Sequence, residues 1–274
     1  MGRVDGKVAV ITGAARGQGR SHAVRLAEEG ASVALIDICA PIAQSPYPLA
    51  SREDLEETRR MVLAAGGRAI TRVADIRVQA ELDGAIADTV AEFGRLDVVV
   101  ENAGIVDYHP LHEIPEDVFT TVVDVNLGGT WRTLKAVIPH LVAQAQGGSI
   151  ILTSSVAGMK GMQHLGHYCA TKHGIVGLMR VASLELAAHG IRVNTVNPGG
   201  VLTPMIDNDL TRMTFRPDLS APTLADMGEV SKTLHSMGIP WLDPIDVSNA
   251  ILFLASDEAR YVTGVVFPVD AGMS

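Results

Sequence analysis

Val8-Ala9-Val10-Ile11-Thr12-Gly13-Ala14-Ala15-Arg16-Gly17-Gln18-Gly19 is the stretch on which the reading of the fold turns. Residues 8–12 form a short apolar run of strand length. Glycines follow at once, and residues 17–29 have helical spacing that stops at Gly30. A buried strand passing through a glycine turn into a helix is the opening of a βαβ unit. The same alternation continues along the chain. Strands are expected at 32–36, 69–74, 97–100, 149–153, 191–196 and 265–269. Helices are expected at 52–65, 79–93, 115–144 with a break at Gly128-Gly129, 167–189 and 246–255. That order argues an α/β fold: a Rossmann-type, doubly wound parallel sheet of about seven strands with helices on both faces. Neither a repeat nor a linker interrupts it, so residues 1–274 read as a single domain.

Composition fits this architecture. The chain has 274 residues, 47% hydrophobic but only 4% aromatic, with 27 glycines, so aliphatic side chains must fill the core. Both faces of a parallel sheet are buried, which suits such a chain. The formal charge of −9 favours neither nucleic acid nor an anionic membrane as partner. Two cysteines, Cys39 and Cys169, have no framework spacing and fit a reducing compartment. With no signal-like start and no span-length apolar run, a cytoplasmic location is expected.

The glycines at 13, 17 and 19 let the backbone approach a pyrophosphate, and the helix that follows offers its N-terminal amides and positive dipole. Asp37 lies 24 residues after Gly13, at the end of the second strand. A carboxylate there accepts both adenosine ribose hydroxyls and repels a 2′-phosphate, which argues NAD(H) over NADP(H). Arg16 pulls the other way, because a basic residue in the glycine loop can serve a 2′-phosphate. Asp37 carries more weight, since it acts directly at the 2′ position.

A second constellation supplies chemistry. Tyr168 and Lys172 are four residues apart, and Ser155 lies thirteen residues before the tyrosine. One helical turn places phenol and ammonium on one face. At about 4–5 Å and an effective dielectric near 20, the ammonium–phenolate attraction is roughly 3–4 kcal/mol. That would lower the phenol pKa by about 2–3 units from its usual 10, into the range of a working base. Ser155 would hold the same alcohol or carbonyl oxygen.

Two stretches leave the βαβ rhythm. Residues 38–51 put three prolines between a strand and its helix, an insertion beyond the usual connection of about 2–6 residues. Residues 205–243 are long and amphipathic, with Met205, Met213, Phe215, Met227, Leu234 and Met237, and read as a helical substrate lid. Met205, together with Met162 and His164 in the loop before Tyr168, is expected at the substrate. A solvent-facing loop is an equal reading for His164. The pairs His109/His112 and His164/His167 have ligand-like gaps, but no acid or cysteine completes either, so no metal is expected.

Taken in order, Thr12 to Gly19, Asp75-Ile76, Asn102-Ala103-Gly104, Asn126, Ser155, Tyr168, Lys172, Pro198-Gly199 and Thr203-Pro204-Met205 resemble the short-chain dehydrogenase/reductase family over nearly the whole chain. The resemblance implies a homotetramer and a catalytic set of Asn126, Ser155, Tyr168 and Lys172. Lys172 would also bind the nicotinamide ribose, and Asn126 would hold a water leading from Lys172 to solvent. It places Asp75 and Ile76 at the adenine, with Ile38 following Asp37 on that side. Asn102, Ala103 and Gly104 would lie along the cofactor, and Pro198, Gly199, Val201 and Thr203 at the nicotinamide. The insertion after Asp37 further resembles the carveol-dehydrogenase-like branch linked to the redox cofactor mycofactocin. There the segment covers the nucleotide, holds it nearly non-exchangeably, and electrons leave for an external acceptor. The chain departs from the family pattern at Glu101, where asparagine is usual, and at Gln18, where isoleucine is usual.

The expected activity is an NAD-dependent alcohol dehydrogenase: Tyr168 takes the hydroxyl proton of a small hydrophobic secondary alcohol, carveol- or terpenoid-like, and the nicotinamide takes the hydride. Two alternatives are an NADPH-dependent 3-oxoacyl-carrier-protein reductase and a non-catalytic nucleotide sensor or scaffold. Asp37 opposes the first, and the retained catalytic set opposes the second.

Overall fold

The structure is a computed structural model that describes residues 2–274. Seven strands form one sheet: β1 (Val8–Thr12), β2 (Ser32–Asp37), β3 (Arg68–Val73), β4 (Val98–Glu101), β5 (Gly148–Thr153), β6 (Ile191–Pro198) and β7 (Val266–Val269). Their order is β3-β2-β1-β4-β5-β6-β7, and every pairing is parallel. The helices are α1 (Gly17–Glu28), α2 (Arg52–Ala64), α3 (Gln79–Phe93), α4 (Glu116–Val123), α5 (Gly129–Gln144), α6 (Gly166–Leu186), α7 (Asp209–Phe215), α8 (Leu224–Ser231) and α9 (Pro244–Ala255).

All five residues of β1 are buried, as a strand covered on both faces requires. Successive side chains still divide between two cores. Ala9 and Ile11 pack with Val33 and Leu35 under α1, α2 and α9. Val10 packs with Ala34, Ile36 and Val99 under α3, α5 and α6. The strand period of two thus sorts one apolar run into two layers. Ile150, midway along β5, is wholly buried in the second core. Ile150→Ala should lower the unfolding free energy by about 2–5 kcal/mol in urea titration. A loss below about 1 kcal/mol would show that this layer closes over the gap.

Local chemistry sets the helix ends. The Ser51 hydroxyl accepts from Asp54 N while the Asp54 carboxylate accepts from Ser51 N, a reciprocal cap that starts α2 where the insertion ends. Gly94, at φ 79°, closes α3. The break expected at Gly128-Gly129 is absent. Residues 124–128 form a π-helical turn, and both glycines keep helical dihedrals into α5. A Cβ on Gly129 would lie 2.4 Å from Ile76 Cδ1, so this glycine serves close packing and not termination. Strand and helix ends otherwise agree with the sequence reading to within three residues; the largest difference is at α6, which gives way to a 3-10 turn at Ala187–His189.

β1 is the sheet's switch point, with β2 on one side and β4 on the other. Crossovers leave in opposite directions there, which opens a crevice at the carboxyl ends of these strands.

Candidate active site

Thr12 ends β1 and ties the two sides of that crevice together. Its Oγ1 accepts from Asn102 N at 3.0 Å and Ala103 N at 3.1 Å. Asn102 returns the link, donating Nδ2–H to Thr12 O at 3.1 Å and Gly13 O at 3.2 Å. Gly13 has φ +65°, and a Cβ on it would sit 2.9 Å from Ala103 Cα. Gly17 has φ +56° and faces the Thr203 methyl. The first turn of α1 has no side-chain cap, so its amides are left for an anion. Gln18 Oε1 is buried with no protein partner. Such a cradle fits a dinucleotide pyrophosphate.

Asp37 follows at the end of β2. Its carboxylate accepts from Ala15 N at 3.0 Å and Cys39 N at 3.2 Å. Burial pushes its pKa up against these hydrogen bonds. Arg16, which argued for a 2′-phosphate, is engaged elsewhere: its guanidinium donates to the Pro48 carbonyl of the insertion. The insertion is a strap pinned at several points. It departs through Cys39 in the left-handed region at φ 48°, and Ile42 is buried in the core. The buried Tyr47 Oη accepts from Val106 N at 3.3 Å, and Gln44 donates to Asp117 at 3.2 Å. Ile38, Ile42, Tyr47 and Leu49 therefore line the same pocket as the glycine cradle. Asp75 and Ile76 border it after β3, with the Asp75 carboxylate gripped by Arg77 and so held below the usual range. Pro198, Gly199, Val201 and Thr203 border it after β6.

Ser155, Tyr168 and Lys172 close the far end of this pocket. Ser155 follows β5 in extended backbone, and its Oγ accepts from Ala157 N at 3.1 Å. Its hydroxyl faces the Tyr168 phenol. The Tyr168 ring lies among Tyr47, Val106, Leu165, Tyr108, Met162 and Met205. Lys172 donates to Thr153 O at 2.7 Å, and its Nζ stands 5.5 Å from the centre of the Tyr168 ring. This corrects the simple electrostatic expectation. The ammonium reaches across the ring to β5, and in the protein alone burial and the neighbouring Tyr47 push the phenol up instead of down. Lys172 is itself pushed down by burial, and Glu101 pulls it back up.

Asn126 lies behind the pocket in the π-helical turn, fully buried. Its side chain accepts from Ile105 N and donates to Ile105 O, each at 2.9 Å, which fixes the segment after Gly104. Gly19 also lies under the cradle, not on its surface. His164 is not brought to the pocket. It is exposed, at φ 63°, and its carbonyl accepts from His109 N. The solvent-facing reading of that residue holds. Met162 and Met205 do line the pocket, with Phe215, Met227 and Trp241, whereas Met213 and Met237 point to solvent at 53% and 73% exposure. No cluster of metal-ligating side chains occurs among the described residues. Sequence reasoning missed Tyr47, Tyr108 and His235 as lining residues. The prolines flanking Tyr47 were a signal for it; His235 gave none.

A family model described as enoyl-(acyl carrier protein) reductase matches residues 13–274. The (−)-trans-carveol dehydrogenase of Rhodococcus erythropolis is 50% identical over 273 residues, 99% of each chain. The chain belongs to the short-chain dehydrogenase/reductase family. It is an oxidoreductase of that family, and solved members superpose closely on it. The carveol dehydrogenase of Mycobacterium avium, crystallised with NAD, has 51% identity and a TM-score of 0.98, covering 100% of this chain and 99% of its own. A short-chain dehydrogenase of Mycobacterium paratuberculosis bound to NAD has 42% identity and a TM-score of 0.91, covering 99% of each chain.

Proposed function

We propose that this short-chain dehydrogenase/reductase uses NAD(H) to interconvert a hydrophobic secondary alcohol, carveol-like in size and polarity, and its ketone. One observation carries the reading: Ser155, Tyr168 and Lys172 share a single pocket with the glycine cradle and Asp37. The Asp37 carboxylate opposes a 2′-phosphate, and Arg16 has one of its donors committed to Pro48, so the site favours NAD over NADP. NAD⁺, when bound, supplies the two-electron acceptor and a positive charge beside the phenol. Tyr168 takes the substrate hydroxyl proton, Ser155 holds the same oxygen, and Lys172 orients the nicotinamide ribose. Asn126 keeps the Gly104–Ile105 backbone in place. Met162, Met205, Phe215 and Met227 give the substrate an adaptable apolar wall, and residues 205–243 act as its lid.

The strap formed by residues 38–51 retains the cofactor, and electrons then pass to an external redox acceptor. Its support is the number of fastenings: Arg16 to Pro48, Tyr47 to Val106 and Gln44 to Asp117. Denaturing the desalted protein should release close to one NAD(H) per chain. An empty protein that turns over added NAD⁺ would remove the retention while keeping the dehydrogenase. Retention without any alcohol turnover, tried with carveol and an artificial electron acceptor, would remove the dehydrogenase reading. Exposed apolar side chains, Phe119 on α4 with Trp131 on α5 and Val181 with Leu184 on α6, support a homotetramer, which light scattering measures.

A further inference from the structure

Glu101 ends β4, one residue before the Asn102–Ala103 link to Thr12, and only 1% of it is exposed. A buried carboxyl is costly without partners. Its Oε2 lies 3.0 Å from Thr130 Oγ1, while Oε1 has no hydrogen-bond partner in the protein. Thr130 Oγ1 also lies 2.6 Å from the Asn126 carbonyl, which can only accept. The hydroxyl has one proton and two claimants. When it points to Glu101, Oε2 accepts and the ionised carboxyl is favoured. When it points to Asn126, the Thr130 oxygen is free to accept, which favours a protonated Glu101 that donates to it. The Asn126–Thr130–Glu101 chain therefore serves both protonation states of Glu101 by rotation of one hydroxyl, with no heavy atom moving.

Glu101 lies opposite Leu152 in the β4–β5 register, so Thr153 is the next residue on the neighbouring strand, and Lys172, 4% exposed, places one of its three N–H groups on Thr153 O. Thr153 Oγ1 is a further buried atom without a partner. Orphan atoms on Glu101 and Thr153, at adjoining ends of β4 and β5, and an under-used ammonium held on Thr153 are the kind of polar partners a bridging water needs. The groups around the pair are few. Lys172 meets Tyr168 from its own helix, Thr153 from β5, and Asn126 and Gly104 behind it. Glu101 meets Thr12 from β1 and Thr130 from α5. Among the described residues, Glu101 is the charged group that acts on Lys172, and Lys172 the one that acts on Glu101.

We propose that Glu101 is the proton-holding partner of Lys172, a positioning residue that fixes the charge of the lysine and stores the proton released by the substrate hydroxyl. The inference rests on the dehydrogenase reading above. In alcohol oxidation the hydroxyl proton moves to the Tyr168 phenolate. Lys172 gives a proton through water to the Glu101 carboxylate and takes the phenol's proton in return. The net transfer is one proton from substrate to Glu101, with phenolate and ammonium restored. Ketone reduction runs the same steps backwards. The family's usual asparagine at this position could hold no proton.

The test compares wild type with Glu101→Gln, and with Glu101→Asp as the charge-retaining variant. The Glu101 carboxylate raises the affinity of Lys172 for its proton, so removing it makes the ammonium titrate at lower pH. In Glu101→Gln the alkaline limb of kcat/KM for alcohol oxidation should move down by about one pH unit or more, with kcat reduced and NAD(H) content unchanged. Glu101→Asp should recover the limb at least in part. A profile that merely drops without moving would make Glu101 a structural residue only and overturn the proposal. A second readout needs neither turnover nor a folded variant. In wild type carrying ¹³C-labelled lysine and glutamate, the Lys172 ε-carbon and Glu101 δ-carbon should share inflections across the pH titration. Independent titration would also overturn the proposal. Shared inflections in a protein without alcohol turnover would sink the dehydrogenase reading and leave the pair intact.

Discussion

Tyr168→Phe should cut alcohol oxidation by about 10²–10⁴-fold and leave NAD(H) binding unchanged. The substitution removes one oxygen. The ring keeps its place, because it packs in one apolar cluster with Val106, Leu165, Met162 and Met205. The proton acceptor disappears, and no other base replaces it: Lys172 is turned to Thr153 O, and Ser155 has an ordinary hydroxyl. Burial and the adjacent Tyr47 raise the Tyr168 pKa in the protein alone. A raised phenol resists deprotonation, so the positive charges of Lys172 and the oxidised nicotinamide must work against that burial. Oxidation needs the phenolate and should rise with pH until Lys172 loses its proton; reduction needs the phenol and should be favoured at lower pH. Initial rates in both directions, with NAD(H) content measured on the same preparations, check both statements. A phenylalanine variant with wild-type turnover would take Tyr168 out of the chemistry.

Much of this site was legible in the sequence because its parts lie at strand ends. Thr12, Asp37, Asn102 and Ser155 each follow an apolar run, and a parallel sheet brings all carboxyl ends to one edge. The spacing of Tyr168 and Lys172 correctly put both on one helix. It did not give the direction of the ammonium, which depends on the Thr153 carbonyl of a different element. The same limit applies to Gly128-Gly129. A glycine pair reads as a helix stop, and only the nearness of Ile76 in three dimensions shows that the chain needs it for packing. Arg16 read as a candidate for a 2′-phosphate because its partner, Pro48, sits in an insertion with no periodic pattern. Glu101 stood out as a departure from a pattern, but its meaning waited on Thr130 and Lys172, which are 29 and 71 positions further along the chain.

Gly19→Ala should abolish measurable NAD(H) binding and lower stability by about 1–3 kcal/mol or more, although alanine is ordinarily the better helix residue. The expected sign comes from contacts, not propensity. A Cβ at position 19 would lie 2.1 Å from Gly13 O and 2.8 Å from Asn102 Nδ2. Gly13 O cannot retreat freely, since Asn102 holds it at 3.2 Å and Asn102 is itself held by Thr12. The new methyl must therefore push the first turn of α1 away from β1, or push the Asn102 loop away from both. Either movement misplaces the amides that would receive a pyrophosphate. Gly84→Ala is the matched control. Gly84 lies within α3, and a Cβ there meets nothing within 4 Å. That substitution should stabilise the protein by about 0.5–1 kcal/mol and leave NAD(H) content unchanged. Thermal unfolding and cofactor release, measured on both variants, separate the two effects. If Gly19→Ala behaved like Gly84→Ala, the cradle would not be the closed-down surface that holds the cofactor.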